Sequence, residues 1–149
     1  MNGVDENEMR LLAALRKNAR ASLLGLSKEL GMPSSTLHDK VHRYEGSTII
    51  KHTTLLDFSK LGYSRSYFAI RTLPSGRQRV QAFLEGCGWV NNLHKIDSGF
   101  DFLAEIISDQ KGIEDLDTAL RSMSEVIDLK RFSILEDVKR EEFKLGVRR

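Results

Sequence analysis

The sequence predicts an α+β fold, with a short helical part followed by a longer part that alternates strands and helices. Two observations support this prediction. Leucines recur at helical spacing in the first third of the 149 residues. The remainder contains six short segments of strand or helix character, separated by Gly, Pro, Ser and Asp. We expect one domain at residues 1–56, a linker at 57–63 and a second domain at 64–149.

The composition excludes several classes of protein. Hydrophobic residues make up 40% of the chain and charged residues 30%, which is typical of a globular protein rather than a disordered one. No stretch approaches the ~20 apolar residues of a membrane span, and the polar N-terminus has no apolar signal core. A single cysteine allows neither an internal disulfide nor a cysteine cluster for zinc. We therefore expect a cytoplasmic protein with no membrane partner and no cofactor.

Positive charge is concentrated in one segment. The net charge is only +2, but residues 16–51 contain seven basic and three acidic side chains. Residues 1–15 contain one basic and three acidic side chains, and residues 52–149 contain fifteen of each sign. A phosphate-binding surface would produce such a local excess. On charge alone, a solvated charged face explains the segment equally well.

Three helices are predicted in the first part. Residues 5–18 have an acidic start and a leucine stripe, and a second helix begins after the N-cap Ser22 and ends at Gly31. A third helix covers residues 34–45. Two short helices joined by a glycine-containing turn form a helix-turn-helix when the second has a polar outer face. The β-branched residues 49–56 suit a strand pair beside it, as in a winged variant.

The third helix is predicted to have one buried and one polar face. At about 100° per residue, Leu37, Val41 and Tyr44 form the buried stripe. The opposite face suits the base edges of double-stranded DNA in the major groove, and the helix start suits a phosphate. The residues predicted to face bases are Ser35, His38, Asp39, His42 and Arg43. Those predicted to bind phosphates are Ser34, Ser35, Thr36, Lys40, Arg43 and Lys51. A plain three-helix packing unit would give a similar wheel.

Two possible chemical sites are not supported by spacing. His38 and His42 have the i, i+4 spacing of a helical zinc pair, but no third ligand is apparent and both lie on the predicted DNA face. Cys87 has no partner that marks it as a nucleophile, so packing is its expected role. We therefore predict neither a metal site nor a catalytic residue.

Residues 22–50, SLLGLSKELGMPSSTLHDKVHRYEGSTII, resemble the helix-turn-helix of the feast/famine regulators, the leucine-responsive regulatory protein/AsnC family. The matching positions are Ser22, Leu26, Leu30, Gly31, Ser34, Leu37, Val41, Glu45, Ile49 and Ile50. The departures are Gly25, Lys40, Tyr44 and Thr48. The segments that follow also have the family's order and length. The resemblance implies a sequence-specific, DNA-binding transcription regulator that is not an enzyme.

The second part follows the β-α-β-β-α-β order of a ferredoxin-like domain. Strands are predicted at residues 66–73, 89–96, 100–107 and 126–135, and helices at 78–84 and 113–123. We expect Glu114, Asp115 and Asp117 to open the second of these helices. Such a sheet leaves one face open to a partner. The resemblance implies that this face forms a homodimer, or dimers within a larger assembly such as an octamer, on a pseudo-palindromic site.

The resemblance also implies an amino-acid effector near the turn between the second and third strands, where the family often has G-D-[FY]-D. The corresponding residues here are Asp97, Ser98, Gly99, Phe100 and Asp101. Phe100 and Asp101 match that pattern, whereas the glycine is displaced by one position. An ordinary hairpin turn explains the segment equally well.

Two other functions are compatible with this architecture. Siroheme decarboxylases are similar to the feast/famine regulators in both domains, and His94 with Arg71 or Arg65 would then hold tetrapyrrole carboxylates. Co-purified tetrapyrrole colour would favour that enzyme. A sensor or adaptor that has lost DNA binding is the second alternative. The polar outer face of the third helix argues against the enzyme, and the basic segment argues against the adaptor.

Overall fold

The computed structural model describes residues 5–97 and 99–140. The chain divides into two compact units, one formed by Met1–Leu55 with Lys139–Arg149 and the other by Leu56–Val138. Each unit has its own cluster of buried hydrophobic side chains. Among the described residues, no helix is both long enough and apolar enough to cross a membrane.

The N-terminal unit contains the three predicted helices. They are α1 (Glu6–Lys17), α2 (Leu23–Leu30) and α3 (Ser34–Glu45). Leucines at helical spacing on α1 and α2, with Leu37 and Tyr44 of α3, face a shared interior, which explains why three short helices are stable together. The buried core of this unit consists of Leu11, Leu15, Leu26, Leu30, Leu37 and Tyr44.

The turn between α2 and α3 has the local chemistry that the sequence predicts. The Ser22 side chain accepts a hydrogen bond from the Gly25 amide at 3.1 Å and caps the start of α2. Gly31 ends the helix with φ at +67°, in the left-handed region where glycine carries no Cβ penalty. The Ser27 hydroxyl then donates to the Met32 carbonyl at 2.6 Å, which fastens the turn that leads into α3.

The strand pair predicted for residues 49–56 is wrong. Those residues have no regular secondary structure, and Ile50 is almost fully exposed. The amides of Thr48 and Ile49 both donate to the carbonyl of Tyr44, at 2.8 and 2.7 Å, so the chain turns tightly off the end of α3. β-Branched residues favour a strand only where a neighbouring strand supplies packing and hydrogen bonds, and within the described residues none pairs with this segment.

The C-terminal unit confirms the predicted β-α-β-β-α-β order. Its elements are β1 (Ser64–Thr72), α4 (Arg77–Gly86), β2 (Val90–Lys95), β3 (Phe102–Ser108), α5 (Gln110–Ser122) and β4 (Val126–Ser133). The four strands form one sheet in the order β2-β3-β1-β4, and every neighbouring pair is antiparallel. Short 3-10 turns at Phe58–Leu61 and Pro74–Gly76 precede β1 and α4.

Alternation along the strands separates the core face of the sheet from an open face. Phe68 pairs with Ala104 and is completely buried beneath the helices. The next residues along β1 and β3 point to the opposite face, where Tyr67 pairs with Glu105 and Ala69 with Leu103. The core consists of Phe68, Ile70, Val80, Leu84, Phe102, Ala104, Ile106, Ile113, Leu116, Leu120 and Leu129. Both helices of this unit therefore cover the same face of the sheet.

The start of α5 differs from the prediction. Asp109 is the N-cap residue, and its Oδ1 accepts from the Gly112 amide at 2.8 Å, so the helix begins three residues earlier than expected. Glu114 and the acidic residues after it lie within the helix rather than at its cap. A Cβ at Gly112 would lie 2.1 Å from the Ser108 hydroxyl, so a larger residue would require the Ser108 side chain to move.

Candidate nucleic-acid interface

The outer face of α3 is open to solvent. The side chains of Asp39 and His42 are each 84% exposed and that of His38 is 67% exposed. On the opposite side of the same helix, Leu37 is completely buried and Tyr44 is 6% exposed. The helical wheel therefore assigned the inner and outer faces of this helix correctly.

The start of α3 lacks a side-chain cap. Pro33 is the N-cap residue and has no side-chain group that can accept a hydrogen bond from the first turn. Ser35 and Thr36 are exposed and Ser34 is half-buried. Two exposed hydroxyls, one half-buried hydroxyl and uncapped backbone N–H groups therefore lie at the positive end of the helix. This arrangement suits an anion such as a DNA phosphate.

One flank of α3 carries a row of imidazoles. The rings of His38 and His42 are stacked, with centroids 6.5 Å apart and an interplanar angle of 15°. The Glu45 carboxylate lies 3.9 Å from His42 Nδ1 and 3.0 Å from His52 Nε2. Within residues 5–97 and 99–140, no group of three or more His, Cys, Asp or Glu side chains is arranged to hold a metal ion.

The other flank of α3 is held by a carboxylate from α1. Glu8 Oε1 accepts from Arg43 Nη2 at 2.6 Å and from Lys40 Nζ at 3.1 Å. The Lys40 side chain is only 20% exposed, whereas that of Arg43 is 60% exposed. Two of the three cations predicted to bind phosphates are therefore paired within the protein, and the third, Lys51, is exposed.

Tyr44 completes this flank beneath the two cations. Its hydroxyl, together with the Lys40 ammonium, lowers the pKa of Glu8 to about 2. Burial, followed by the nearby Glu8 carboxylate, raises the pKa of Tyr44. The Arg43 guanidinium lies 5.3 Å from the centre of the Tyr44 ring, close enough for a cation–π contact. The four side chains thus form a charged cluster, here called the Glu8 cluster: Glu8, Lys40, Arg43 and Tyr44.

In the second unit, Asp101 has a structural role at the turn predicted for an effector. Its Oδ2 accepts from the Thr72 amide at 2.7 Å and from the Thr72 hydroxyl at 2.9 Å, and its Oδ1 accepts from Arg77. The Thr72 amide is the main reason that the pKa of Asp101 is lowered. This carboxylate therefore ties the β2–β3 turn to the end of β1 and the start of α4.

The remaining residues of that turn are arranged around an aromatic ring. Phe100 is half-buried, and the Lys130 ammonium lies 5.3 Å from its ring centre. Asp97 is exposed and Gly99 has φ at +86°, so the turn uses the left-handed conformation that glycine permits. Ser98 lies outside the described residues.

The residues considered for tetrapyrrole binding are spread over the open face of the sheet. Arg65 contacts Asp137, and Arg71 lies 3.9 Å from Asp128, so both guanidinium groups have carboxylate neighbours. His94 is exposed on β2 opposite Leu103.

The N-terminal residues match a known class of DNA-binding domain. Residues 4–45 fit the family model for winged helix-turn-helix DNA-binding domains. Over 110 residues, 70% of each chain, the protein is 30% identical to the transcriptional regulator AzlB of Bacillus subtilis. Over 131 residues, 86% of each chain, it is 26% identical to the regulatory protein AsnC of Haemophilus influenzae. The chain belongs to the leucine-responsive regulatory protein/AsnC family.

The fold of this AsnC-family member is also that of a solved relative. The feast or famine regulatory protein of M. tuberculosis, determined in complex with L-methionine, superposes with a TM-score of 0.86. The match covers 96% of this chain and 99% of that protein at 20% identity, so it establishes the fold. As an AsnC-family member with a matched DNA-binding head, the protein is a DNA-binding transcription regulator. Both AzlB and the H. influenzae AsnC are named as regulators.

Sequence reasoning missed the acidic partners of the site. Glu8 lies 32 and 35 residues from Lys40 and Arg43, and a helical wheel describes only the helix on which it is drawn. Glu105 was also missed, although it is 5% exposed and accepts from Tyr67 and Asn91 on the open face of the sheet. The available signal for Glu105 was its charge within an otherwise apolar strand.

Proposed function

We propose that this cytoplasmic regulator binds a pseudo-palindromic DNA duplex as a homodimer or a larger assembly, and reads bases with the outer face of α3. The observation that supports this most directly is the exposed polar stripe of α3 opposite its buried face. A helix of this diameter fits the major groove, where each base pair presents a distinct pattern of donors and acceptors. A dimer would present two such helices to successive turns of the duplex.

The groups on α3 suit different parts of the duplex. The Asp39 carboxylate can accept from the cytosine amino group, and Ser35 and His42 can donate or accept at neighbouring base edges. Ser34 and Thr36, with the uncapped amides at the helix start, suit a phosphate. The exposed Lys51 suits a second phosphate beyond the end of α3.

Selection from a randomised duplex pool tests this reading. The wild type is compared with Asp39→Ala/His42→Ala at two salt concentrations, and Asn7→Ala, an exposed α1 residue, is the control. We expect the wild type and the control to enrich one pseudo-palindrome, with an affinity that falls steeply with salt. The double variant should keep the salt dependence and lose the enrichment. Enrichment of the same sequence by all three proteins would exclude this face as the reader.

We further propose that the open face of the sheet forms the homodimer. Phe132 is 51% exposed on β4 opposite Tyr67, on the face that no helix of the unit covers. Burial of exposed apolar side chains such as Phe132 favours self-association. Phe132→Glu should weaken the dimer in sedimentation equilibrium, whereas Leu24→Glu, at an exposed α2 position, should not. A monomeric wild type would contradict this part of the proposal.

An amino acid is the effector class that we propose for the β2–β3 turn. The support is the L-methionine complex of the similar M. tuberculosis regulator. Here Phe100 offers an apolar surface, and the Lys130 ammonium places positive charge beside its ring, where a carboxylate would bind. Calorimetric titration with L-methionine should detect binding that Phe100→Ala weakens and Phe83→Ala, at another exposed phenylalanine, does not. A titration with no heat would exclude methionine as the effector and leave the DNA reading untouched.

A further inference from the structure

One carboxylate links the start of α1 to the reading helix. Glu8 Oε2 accepts from the Asp5 amide at 3.2 Å, and Asp5 Oδ1 accepts from the Glu8 amide at 2.7 Å, which closes a capping box. The other oxygen, Oε1, accepts from Lys40 and Arg43 on α3. Because Oε2 is fixed by the helix cap, Oε1 presents a fixed anchor to α3.

The two cations would have to break this arrangement to reach a phosphate. The Glu8 side chain is 17% exposed and that of Lys40 is 20% exposed, so both are partly buried. If Lys40 and Arg43 turned to DNA, the Glu8 carboxylate would lose its two cationic partners near the negatively charged backbone. Breaking these pairs costs free energy, because solvent reaches the partly buried carboxylate only in part and cannot fully replace the lost contacts.

The Glu8 cluster also separates two sets of side chains on the surface of α3. Lys40 and Arg43 lie on the flank that faces α1, whereas Ser35, Asp39 and His42 occupy the outermost stripe. Without its two paired cations, the outer stripe holds groups that hydrogen-bond to bases and an exposed carboxylate that phosphates repel. Affinity for any duplex is thereby kept low, and contacts that depend on sequence gain relative weight.

We propose that Glu8 is a positioning residue for DNA recognition: it holds Lys40 and Arg43 against α1, keeps them from DNA phosphates, and so makes binding depend on bases rather than charge. This inference rests on the proposed reading of DNA by α3. Glu8→Gln should release Arg43 and leave Lys40 with only the Asp5 carboxylate, 3.9 Å from its Nζ, and so strengthen binding to any duplex and reduce discrimination.

The salt dependence of binding measures this directly. Each new phosphate contact steepens the plot of log affinity against log salt by about 0.9. Affinities are measured by fluorescence anisotropy with the full chain, on the wild-type-selected duplex and on a random duplex of equal length. Glu6→Gln is the matched control, because it makes the same charge change at an exposed α1 position two residues away.

We expect the slope of Glu8→Gln to be steeper than that of Glu6→Gln by about 1 to 2, the contribution of one or two phosphate contacts. The ratio of specific to random affinity should fall about tenfold, an effect as large as one mismatched base pair. Equal slopes for the two variants would overturn the proposal. A purely structural role for Glu8 would lower both affinities and would not steepen the slope.

Arg43→Gln provides a second, independent measurement. If Arg43 stays with Glu8 in the complex, its removal should change the slope by less than about 0.5, whereas loss of an existing phosphate contact would reduce it by about 0.9. This variant decides the question even if Glu8→Gln fails to fold. A wild type that does not distinguish the two duplexes contradicts the proposed function itself; a discriminating wild type with an unchanged Glu8→Gln slope contradicts only the inference.

Discussion

Among the described residues, the core of the helical unit contains six buried side chains, of which four are leucines of α1 and α2, whereas the core of the sheet unit contains eleven. The helical unit adds the Glu8 cluster at the contact between α1 and α3. In the sheet unit, comparable charged contacts such as Asp101 with Arg77 lie at the edge of a complete apolar core. Both units therefore depend on an apolar core, and the difference teaches that charged contacts join two helices in the first unit, whereas in the second they lie at the edge of the core.

The largest expected effect is the loss of a central side chain from the sheet core. Phe68 is completely buried, so Phe68→Ala should lower the free energy of unfolding by about 3–5 kcal/mol through lost burial and a cavity. The single tryptophan, Trp89, lies in the same unit, and its fluorescence in a urea titration reports the change. An unchanged midpoint would show that apolar packing at Phe68 is not what stabilises this unit.

A matching change in the helical unit tests whether the two cores act separately. Leu11 is completely buried, and Leu11→Ala should cost about 2–5 kcal/mol. Hydrogen exchange should accelerate in peptides from residues 6–45, while the Trp89 unfolding midpoint stays as in the wild type. If both units lose stability together, they unfold as one cooperative body and the comparison between them fails.

The helix caps should contribute about equally to the free energy of unfolding in the two units. Ser22 caps α2 and Asp109 caps α5 through the same side-chain bond to a backbone amide. Ser22→Ala and Asp109→Ala should each cost about 1 kcal/mol, as measured by chemical denaturation. Ser35→Ala, an exposed position without a cap bond, is the control. A much larger loss at one cap would mean that it also carries tertiary contacts.

Acid should produce the smallest effect, because Glu8 lies at a surface where solvent and salt screen charge. The pKa of Glu8 is about 2 in the folded chain, below the ~4.3 of an unfolded glutamate. Its contribution is therefore complete above pH ~4.3 and is lost as the pH falls towards 2. The pKa of Asp101 is also lowered, so the sheet unit should lose stability in the same direction.

Glu8→Gln separates the acid-sensitive stability that Glu8 contributes from that which Asp101 contributes. The melting temperature of this variant should fall less than that of the wild type between pH 4.5 and 2, whereas Glu6→Gln should follow the wild type. The measurement is thermal unfolding by circular dichroism at a series of pH values. Parallel curves for all three proteins would assign acid sensitivity to groups other than Glu8.

Local patterns predicted most of the fold. The stop at Gly31, the N-cap at Ser22 and the sequence of strands and helices along the second unit depend on neighbouring residues, and each is found in the structure. Residues 49–56 were assigned to strands because β-branched residues favour them, but pairing depends on a partner elsewhere in the chain. The start of α5 was misplaced because a cluster of acidic residues obscured the stronger capping signal of Asp109.

The candidate site was predictable only on its outward side. The exposed positions of His38, Asp39 and His42 follow from the wheel alone. The pairing of Lys40 and Arg43 with Glu8 depends on how α1 packs against α3, which no periodicity within either helix describes. Predicting that a basic side chain contacts DNA therefore requires knowing which acidic side chains lie beside it in the folded protein.

The hydroxyl of Tyr44 has a consequence for the evolutionary history of this head. The side chain occupies a buried core position and still brings its phenol to Glu8, so one residue belongs both to the apolar core and to the charged cluster. A change at position 44 to an aliphatic residue would remove the hydroxyl that lowers the pKa of Glu8 and the ring that the Arg43 guanidinium contacts. Among close homologues, the residue types at positions 8, 40, 43 and 44 should therefore covary. Homologues without the tyrosine should more often have other residue types at the remaining three positions.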